Sequence, residues 1–496
     1  MNSNILKIVY ILLLVNILLS CTNNKQIAPP KPYGVIPSER QLQWHNLEIY
    51  AFLHFTTNTF TDKEWGFGDE SPDVFNPTNF DAEQIIGTLS KAGFKGAILT
   101  AKHHDGFCLW PSEYTQHSVL NSKWRNGKGD VVKEISDACK KYDIKFGIYL
   151  SPWDRNHAEY GNSLYISYYR NQLTELMTNY GDIFEVWFDG ANGGDGYYGG
   201  TNENRFIDRA NYYAWDTTMA IVRKYQPGAC MFSDAGPDIR WVGNEHGHAK
   251  DSCWATYTPI PNKGFTKAYA GTCKYWIGET GTMNGEFWIP AETDVSIRPG
   301  WFYHEQEDEK VKSLEQLLDI YFHSVGNGTS LNLNIPPDRT GQIHETDSIR
   351  LIEFKEYLDK AYSKDLLKGC TVKASNVRGR KYQPVNLIDD DPATYWATDD
   401  QEKSATVEFQ LDEPKTFNCM ILQEYIRLGQ RVTDFSIDIF EDEQWKEVAN
   451  GSTIGYKKII RFDYCTTDMI RLKIKNALGC PVVSKIAAFE IPMINE

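Results

Sequence analysis

The pattern of hydrophobic and polar positions divides the chain into three textures. Residues 1–20 contain one continuous apolar run, Ile8 to Leu19, behind a short start whose only cation is Lys7. Residues 35–363 alternate apolar runs of strand length with amphipathic stretches of helix length, which is the βα pattern. From 364 to 496 the alternation shortens to period two with no helix-length stretch between segments, as in a β-sandwich. The fold class that follows is α/β, a (β/α)8-type barrel, with an all-β sandwich behind it.

Within the middle section, apolar runs at 49–55, 94–100, 144–151, 184–188 and 229–233, and a polar–apolar alternation at 329–335, predict strands. Helices are predicted at 81–89, 131–142, 165–180, 208–225, 314–323 and 349–361, with Asp81 and Asp208 placed to favour two of the N-termini. Residues 234–304 are rich in Gly, Trp and Pro and show no clean period, as expected of long loops over a barrel mouth. In the third section, strands are predicted at 405–409, 435–439, 457–462 and 469–474.

The leading apolar run is too short and too poorly flanked for a stable transmembrane helix and reads as a secretion signal. It ends in Leu18-Leu19-Ser20-Cys21, which resembles the bacterial lipobox, although Leu19 departs from the small residue usual there. Cys21 is the expected lipidation site, 21–34 with Pro29, Pro30 and Pro32 the expected tether, and the periplasm or cell surface the expected location. Membrane contact is expected through that anchor only.

Composition narrows the partners. Lys plus Arg number 51 against 66 Asp plus Glu, a net charge of −15, which argues against nucleic acid or an anionic membrane surface. Fourteen Trp, 28 Tyr and 24 Phe supply flat ring surface suited to stacking on sugar C–H faces, and equally to filling a large core. The nine cysteines beyond Cys21 show no close pairing, so neither a zinc ribbon nor a dense disulfide framework is indicated.

Chemistry gathers at the ends of the predicted strands. His54, Glu64-Trp65, His103-His104-Asp105, Trp153-Asp154 and Asp189 all fall there, and residues at that end of a parallel barrel face a common mouth. Asp189 closes the apolar run 184–188 and opens the glycine-rich loop 190–200, so it is either a nucleophile or the cap of a turn. Neighbours on a strand point to opposite faces, so His103 and His104 are not expected to ligate one ion. The one H-x-H, His246 and His248, lies in the loop-rich region, and no third ligand presents itself by spacing. There is no G-x-S-x-G and no P-loop. Gly194 to Gly199 fits G-x-G-x-x-G but opens no helix. Carboxylates are left to do the chemistry. Retaining glycoside hydrolysis needs two, and spacing leaves Asp234, Glu245, Glu279, Glu286 and Glu292 open as partners of Asp189.

His54-Phe55, Glu64-Trp65, Lys102-His103-His104-Asp105-Gly106-Phe107 and Val186-Trp187-Phe188-Asp189-Gly190 occur in the order found in α-L-fucosidases of glycoside hydrolase family 29, which this chain resembles over residues 35–362. The resemblance implies Asp189 as nucleophile and a fucose pocket of His54, Glu64, Trp65, His103 and His104, with Tyr149 or Trp153 after the third strand. Segments 236–245 and 288–301 resemble the branch that prefers α-1,3/1,4-linked fucose, which implies Glu245 as acid/base and draws Arg240, Arg298 and Trp301 toward the site. On that reading Asp189 has a low pKa, kept ionised by His54 or His104, and Glu245 a raised one. Fucosylated oligosaccharides or glycoconjugates are the implied partners, and no cofactor is needed for catalysis.

In the last section, 374–376 and 386–398 resemble the discoidin-like, coagulation-factor type C sandwich. Its D-x-D-x-x-T run makes Asp389, Asp391 and Thr394 candidate ligands of a structural Ca²⁺, or simply a turn. Two other readings stay open: another retaining hexosidase, such as a β-galactosidase, on the same barrel, and a non-catalytic glycan-binding lipoprotein.

Overall fold

The computed structural model describes residues 27–492, so the apolar run at 8–19 and the expectation for Cys21 lie outside the described residues. Among the described residues no helix is long and apolar enough to cross a membrane.

Eight parallel strands close into a barrel in strict chain order: β1 (Ile49–Leu53), β2 (Gly96–Lys102), β3 (Lys145–Leu150), β4 (Ile183–Trp187), β5 (Cys230–Ser233), β6 (Ile239–Trp241), β7 (Ala291–Ser296) and β8 (Ser330–Asn334), which pairs back onto β1. Five were expected from apolar runs and β8 from polar–apolar alternation. The other two fall in the loop-rich segment, and their chemistry explains why. β6 is three residues long. β7 contains Glu292, Thr293, Asp294 and Ser296, all buried, so a strand in the barrel wall reads as a polar loop.

Helices α1 (Glu39–His45), α2 (Thr57–Thr61), α3 (Ala82–Lys91), α4 (Val131–Lys141), α5 (Ser163–Asn179), α6 (Trp215–Tyr225), α7 (Leu314–His323) and α8 (Glu345–Ala361) surround this barrel. α3 begins where its cap dictates: the Asp81 carboxylate accepts the Glu83 and Gln84 N–H groups, satisfying two donors the first turn leaves free. The helix expected from Asp208 starts only at Trp215. Asp208 instead caps a separate turn, accepting from the Ala210 N–H and the Asn211 side chain, and Ala214 intervenes with φ 43°. Between β5, β6 and β7 there is no α-helix, so that side of the barrel is walled by turns, the 3₁₀ segment Tyr275–Glu279 and a two-residue ladder.

α1 plugs the barrel floor. Trp44 donates its indole N–H to Glu185 Oε2 at 2.9 Å, Tyr50 donates to Glu292, and Trp187 and Asn332 both donate to Glu292 Oε1 at 2.8 and 3.1 Å. Burial raises the pKa of both carboxyls, Glu185 well above the ordinary range, with the charge of Glu292 adding to it. Period-two alternation along β4 then places Glu185, Trp187 and Asp189 successively up the interior, while Val186 and Phe188 face the helices.

The C-terminal unit is antiparallel: β9 (Thr371–Ala374), β10 (Trp396–Ala397), β11 (Ala405–Glu424), β12 (Val432–Glu441), β13 (Gln444–Gly451), β14 (Lys458–Ala477) and β15 (Val482–Phe489), ordered β10-β15-β11-β14-β12-β13 with β9 on β11. β11 and β14 each run 20 residues, and register shifts after Gln410 and Phe417 bend the pair around a core that includes Phe409, Met420 and Leu472. The expected strands at 457–462 and 469–474 are two ends of β14.

The sandwich is fastened to the barrel by buried polar groups. The Gln430 side chain accepts from the Ala255 N–H and donates to Cys253 O, and Lys458 donates to Asp251 and Asn327. Part of the expected tether, residues 28–33, makes three hydrogen bonds to the sandwich. Arg378 holds Ala28 O at 2.7 Å, Arg431 holds Lys31 O at 2.7 Å, and the Tyr33 N–H bonds Leu428 O, so 28–33 are docked on the sandwich. Two guanidinium groups needing acceptors, and carbonyls needing donors, outweigh the freedom a proline-rich segment would otherwise keep. The nine cysteines of the described residues are all free.

Candidate active site

A cavity of about 390 Å³ opens at the C-terminal ends of the barrel strands. Its lining runs from Phe52 to Trp301 and includes no residue of the sandwich.

Asp189 stands two residues beyond the end of β4, half-buried. Its Oδ2 accepts from the Tyr149 hydroxyl at 2.9 Å and its Oδ1 from the Ala191 N–H at 2.7 Å. His104 Nε2 lies 3.7 Å from Oδ2. The expected low pKa is corrected: burial raises the Asp189 carboxyl, and the bonds from Ala191 and Tyr149 offset this only in part. The holding donors are a tyrosine and a backbone amide, whereas His54 bonds Asn334 at 2.7 Å and His104 bonds the Ser151 hydroxyl at 2.7 Å. Tyr149→Phe removes a hydrogen bond to a carboxylate, worth about 1.5–3 kcal/mol. A fall in kcat/KM of roughly tenfold to hundredfold is therefore expected, together with an upward shift of the acid limb of its pH profile, since one donor that favours the ionised form is gone.

His54, His103 and His104 form one imidazole wall. Burial lowers the pKa of His54 and of His104 to about 3 and that of His103 well below the ordinary imidazole value, so all three are neutral donor-acceptors near pH 7. That suits hydroxyls, each of which gives and takes a hydrogen bond. Neighbouring His103 and His104 both reach the cavity, with ring centroids 4.1 Å apart. They follow the end of β2 in a turn, where strand alternation no longer applies. Buried His103 Nδ1 has no protein partner. Asp105, next in line, turns away and accepts from Thr56 and Thr57, and Asp154 pairs with Lys102 at 3.0 Å below the wall.

Glu64, Trp301 and Glu245 form a chain across three loops. Glu64 accepts from the Trp301 N–H at 2.8 Å, and the Trp301 indole faces Glu245 Oε2 at 3.4 Å. His304, which the sequence did not single out, lies between Asp62 and Glu64 at 2.7 Å from each. Burial opposes its charge, but the two carboxylates outweigh this and raise its pKa. Glu245 stands at the solvent-facing rim. Crowding by protein raises its pKa, and the charges of Asp189 and Glu64 act in the same direction against the Trp301 bond.

Three site expectations change. Arg240 is fully buried and points out of the barrel: between inward-facing Ile239 and Trp241, it donates to the carbonyls of Gly278, Trp254 and Ile289 and so shapes the loops. Trp153 lies behind the wall, its indole N–H on the Tyr198 hydroxyl, and buttresses His104 and Trp65 with centroids at 5.2 and 5.6 Å. Tyr149 is the one of that pair lining the cavity. Arg298 is sequestered by Asp308 and Asp347.

Among the carboxylates left open by spacing, Glu279 bonds Asn244 and Lys250, exposed-side Glu286 does not reach the cavity, and Glu292 sits beneath Trp187. Asp234 does line it, accepting from the Gly271 N–H and the Cys273 thiol, and burial pushes its pKa to about 6. Asp294, hidden from sequence reasoning in polar β7, also lines it with Oδ1 unpartnered; burial raises its pKa well above the carboxylate range. Far off on the sandwich, the Asp389 carboxylate accepts from the Thr394 hydroxyl and the Asp391 N–H, and Asp391 caps the Ala393 N–H. These bonds close an exposed turn.

A parallel barrel with several carboxylates, neutral imidazoles and aromatic rings converging on its C-terminal mouth defines a glycoside-hydrolase class of site. The particular family is shown by direct comparison. Residues 33–362 match the family model "Alpha-L-fucosidase", and 371–486 match "F5/8 type C domain". Alpha-L-fucosidase 1 of Arabidopsis thaliana is 39% identical over 477 residues, covering 94% of this chain and 90% of that protein. A glycoside hydrolase 29 family member from an unknown rumen bacterium superposes with a TM-score of 0.83 at 41% identity, covering 94% of this chain and 79% of that one. A Ruminococcus gnavus family 29 fucosidase, solved in complex with fucose, gives a TM-score of 0.82 at 31% identity, covering 94% and 97%. The chain belongs to the α-L-fucosidase family of glycoside hydrolases, with a coagulation-factor type C sandwich behind the barrel.

Proposed function

We propose that the protein is a retaining exo-α-L-fucosidase that releases terminal α-1,3/1,4-linked fucose from glycans by double displacement. The observation that carries this reading is the convergence of Asp189 and Glu245 on one cavity in different settings: Asp189 gripped by two hydrogen-bond donors at the strand end, Glu245 at the rim with its pKa raised. Two carboxyls pushed into different roles by their surroundings are what this chemistry requires.

In the first step an Asp189 oxygen attacks the anomeric carbon, the glycosidic C–O bond breaks, and the Glu245 proton moves to the departing oxygen. In the second, Glu245 takes a proton from water as that water attacks the same carbon, and the Asp189 ester bond breaks. The three neutral histidines and Glu64 serve the sugar hydroxyls, and Trp65, Trp301 and Tyr149 its apolar edges. No step passes through a metal.

Linkage preference is tested by fucose release from Lewis-type trisaccharides set against 2′-fucosyllactose. A kcat/KM at least tenfold higher on the Lewis-type substrates is expected. Equal rates, or faster release from 2′-fucosyllactose, would remove the linkage reading while leaving fucosidase activity standing.

A further inference from the structure

Behind the loop that bears Glu245 lies a second cleft, between the barrel and the sandwich, lined by His246, His248, Glu279, His323, Asn327 and Lys458 among others. Two of its side chains, His248 and His323, meet Asp319 of α7. His248 Nε2 is 3.0 Å from Asp319 Oδ2, and His323 Nδ1 is 3.0 Å from Asp319 Oδ1. One ligand atom from each of His248, Asp319 and His323 lies within 4.8 Å of the others.

The local structure explains the meeting. Asp319 and His323 are one turn apart on α7, whose Leu317, Leu318 and Tyr321 are buried, so both stand on the outward half of the helix. His248 is brought to them by its loop. Gly247 sits at φ 85°, and a Cβ there would lie 2.9 Å from Ile320 Cγ2, so a glycine lets the loop lie directly on the helix. The Ala249 N–H then bonds His323 O at 2.9 Å, and the Asn327 side chain bridges Ala249 O and His323 O.

We propose that His248, Asp319 and His323 form a binding site for a divalent late transition-metal ion of the zinc class. Two imidazoles and one carboxylate are the donor set such ions take. Two atoms held tetrahedrally about 2.1 Å from one ion stand roughly 3.4 Å apart, so the observed 3.0 Å pairs need open by only a few tenths of an ångström to admit it. His323 Nδ1 also lies 2.9 Å from the Asp319 main-chain O, a contact that gives way when that nitrogen turns its lone pair to the ion. All three side chains are partly open to solvent, His248 at 39%, Asp319 at 48% and His323 at 43%, which leaves an entry path and room for water or His246 in the fourth position. A simple ion pair would use one histidine; here two rings with centroids 4.6 Å apart share one carboxylate.

The site has a consequence for the cavity on the other side. Asn244 accepts from the N–H groups of His246 and His248 and donates to His248 O, so the segment from Glu245 to His248 is one tightly bonded loop. An ion fixing His248 to α7 restrains the same loop that presents Glu245. Metal binding itself stands apart from the function proposed above; only its bearing on Glu245 rests on that reading.

Tag-free protein, stripped with chelator and exchanged into metal-free buffer, is titrated with zinc alone by calorimetry, with bound zinc counted by elemental analysis. One ion per chain at micromolar affinity or tighter is expected, with slower hydrogen exchange at residues 244–249 in zinc than in chelator. Asp319→Ala with His323→Ala should weaken binding at least tenfold with unchanged melting in chelator, and His248→Gln, confined to a loop, should weaken it likewise if the double variant folds poorly. Absence of stoichiometric binding by the unaltered chain, or undiminished binding by these variants, would overturn the proposal whatever the activity on fucosides.

Discussion

Asp189→Ala should lower kcat/KM on aryl fucosides by on the order of 10⁴-fold or more, while fucose binding stays within a few fold of the unaltered protein. The carboxylate supplies the only group placed by β4 at the top of its interior row, above Glu185 and Trp187, and Tyr149 and the Ala191 amide aim it into the cavity. Removing it leaves the imidazole wall and the Glu64–Trp301 contact intact, since neither is bonded to Asp189. Binding and turnover should therefore separate. Calorimetry with fucose and steady-state rates on one preparation measure both, and loss of binding in step with rate would mean that the substitution had collapsed the pocket.

Glu245→Ala carries the second large effect, and it depends on the leaving group. With an oligosaccharide, whose departing alkoxide needs a proton, turnover should fall by roughly 10²–10⁴-fold. With an aryl fucoside that leaves without help, fucosylation of Asp189 should persist and the second step become limiting. Azide needs no general base, so it should restore turnover by attacking the β-fucosyl ester of Asp189 and yield an α-fucosyl azide, the configuration that two inversions leave. The pH profile offers an independent sign. Activity requires Asp189 ionised and Glu245 protonated, so the rate of the unaltered enzyme should fall below the raised Asp189 pKa and above the raised Glu245 pKa, and the alkaline limb should vanish in Glu245→Ala. Asp234 and Asp294 line the same cavity with raised pKa values, so rescue by azide in Asp234→Ala or Asp294→Ala, and none in Glu245→Ala, would transfer the acid/base role.

How much of this was legible beforehand follows from which interactions decide each element. Strands β1 to β5 were visible because apolar residues dominate them, β8 because Leu331 and Leu333 alternate with polar residues, and α7 was visible to the residue because a Ser313–Gln316 capping box and a buried apolar face agree. β7 was invisible for the opposite reason. Its Glu292 is stabilised by Tyr50, Trp187 and Asn332, three partners distant in sequence, and hydrophobic period carries no record of such a network. The same holds within the site. Strand-end position pointed to Asp189, His54 and the His103-His104 pair, but Arg240 was drawn in by its neighbourhood alone, although its place between Ile239 and Trp241 already put it on the other face. Asp294 and His304 were missed because each acquires its part through contacts from other loops. The third metal-class ligand absent from the spacing around His246 and His248 is supplied by α7, more than sixty residues on.

The central claim, that Asp189 becomes covalently attached to the sugar, is tested most directly by mass spectrometry of the protein after incubation with 2-deoxy-2-fluoro-fucosyl fluoride. The 2-fluorine slows both formation and breakdown of the intermediate, and the activated fluoride leaving group speeds formation alone, so the adduct should accumulate. One fucosyl adduct per chain, mapped to Asp189, is the expected result. An adduct on another carboxylate, or no adduct together with inversion of configuration at the released fucose, would contradict it.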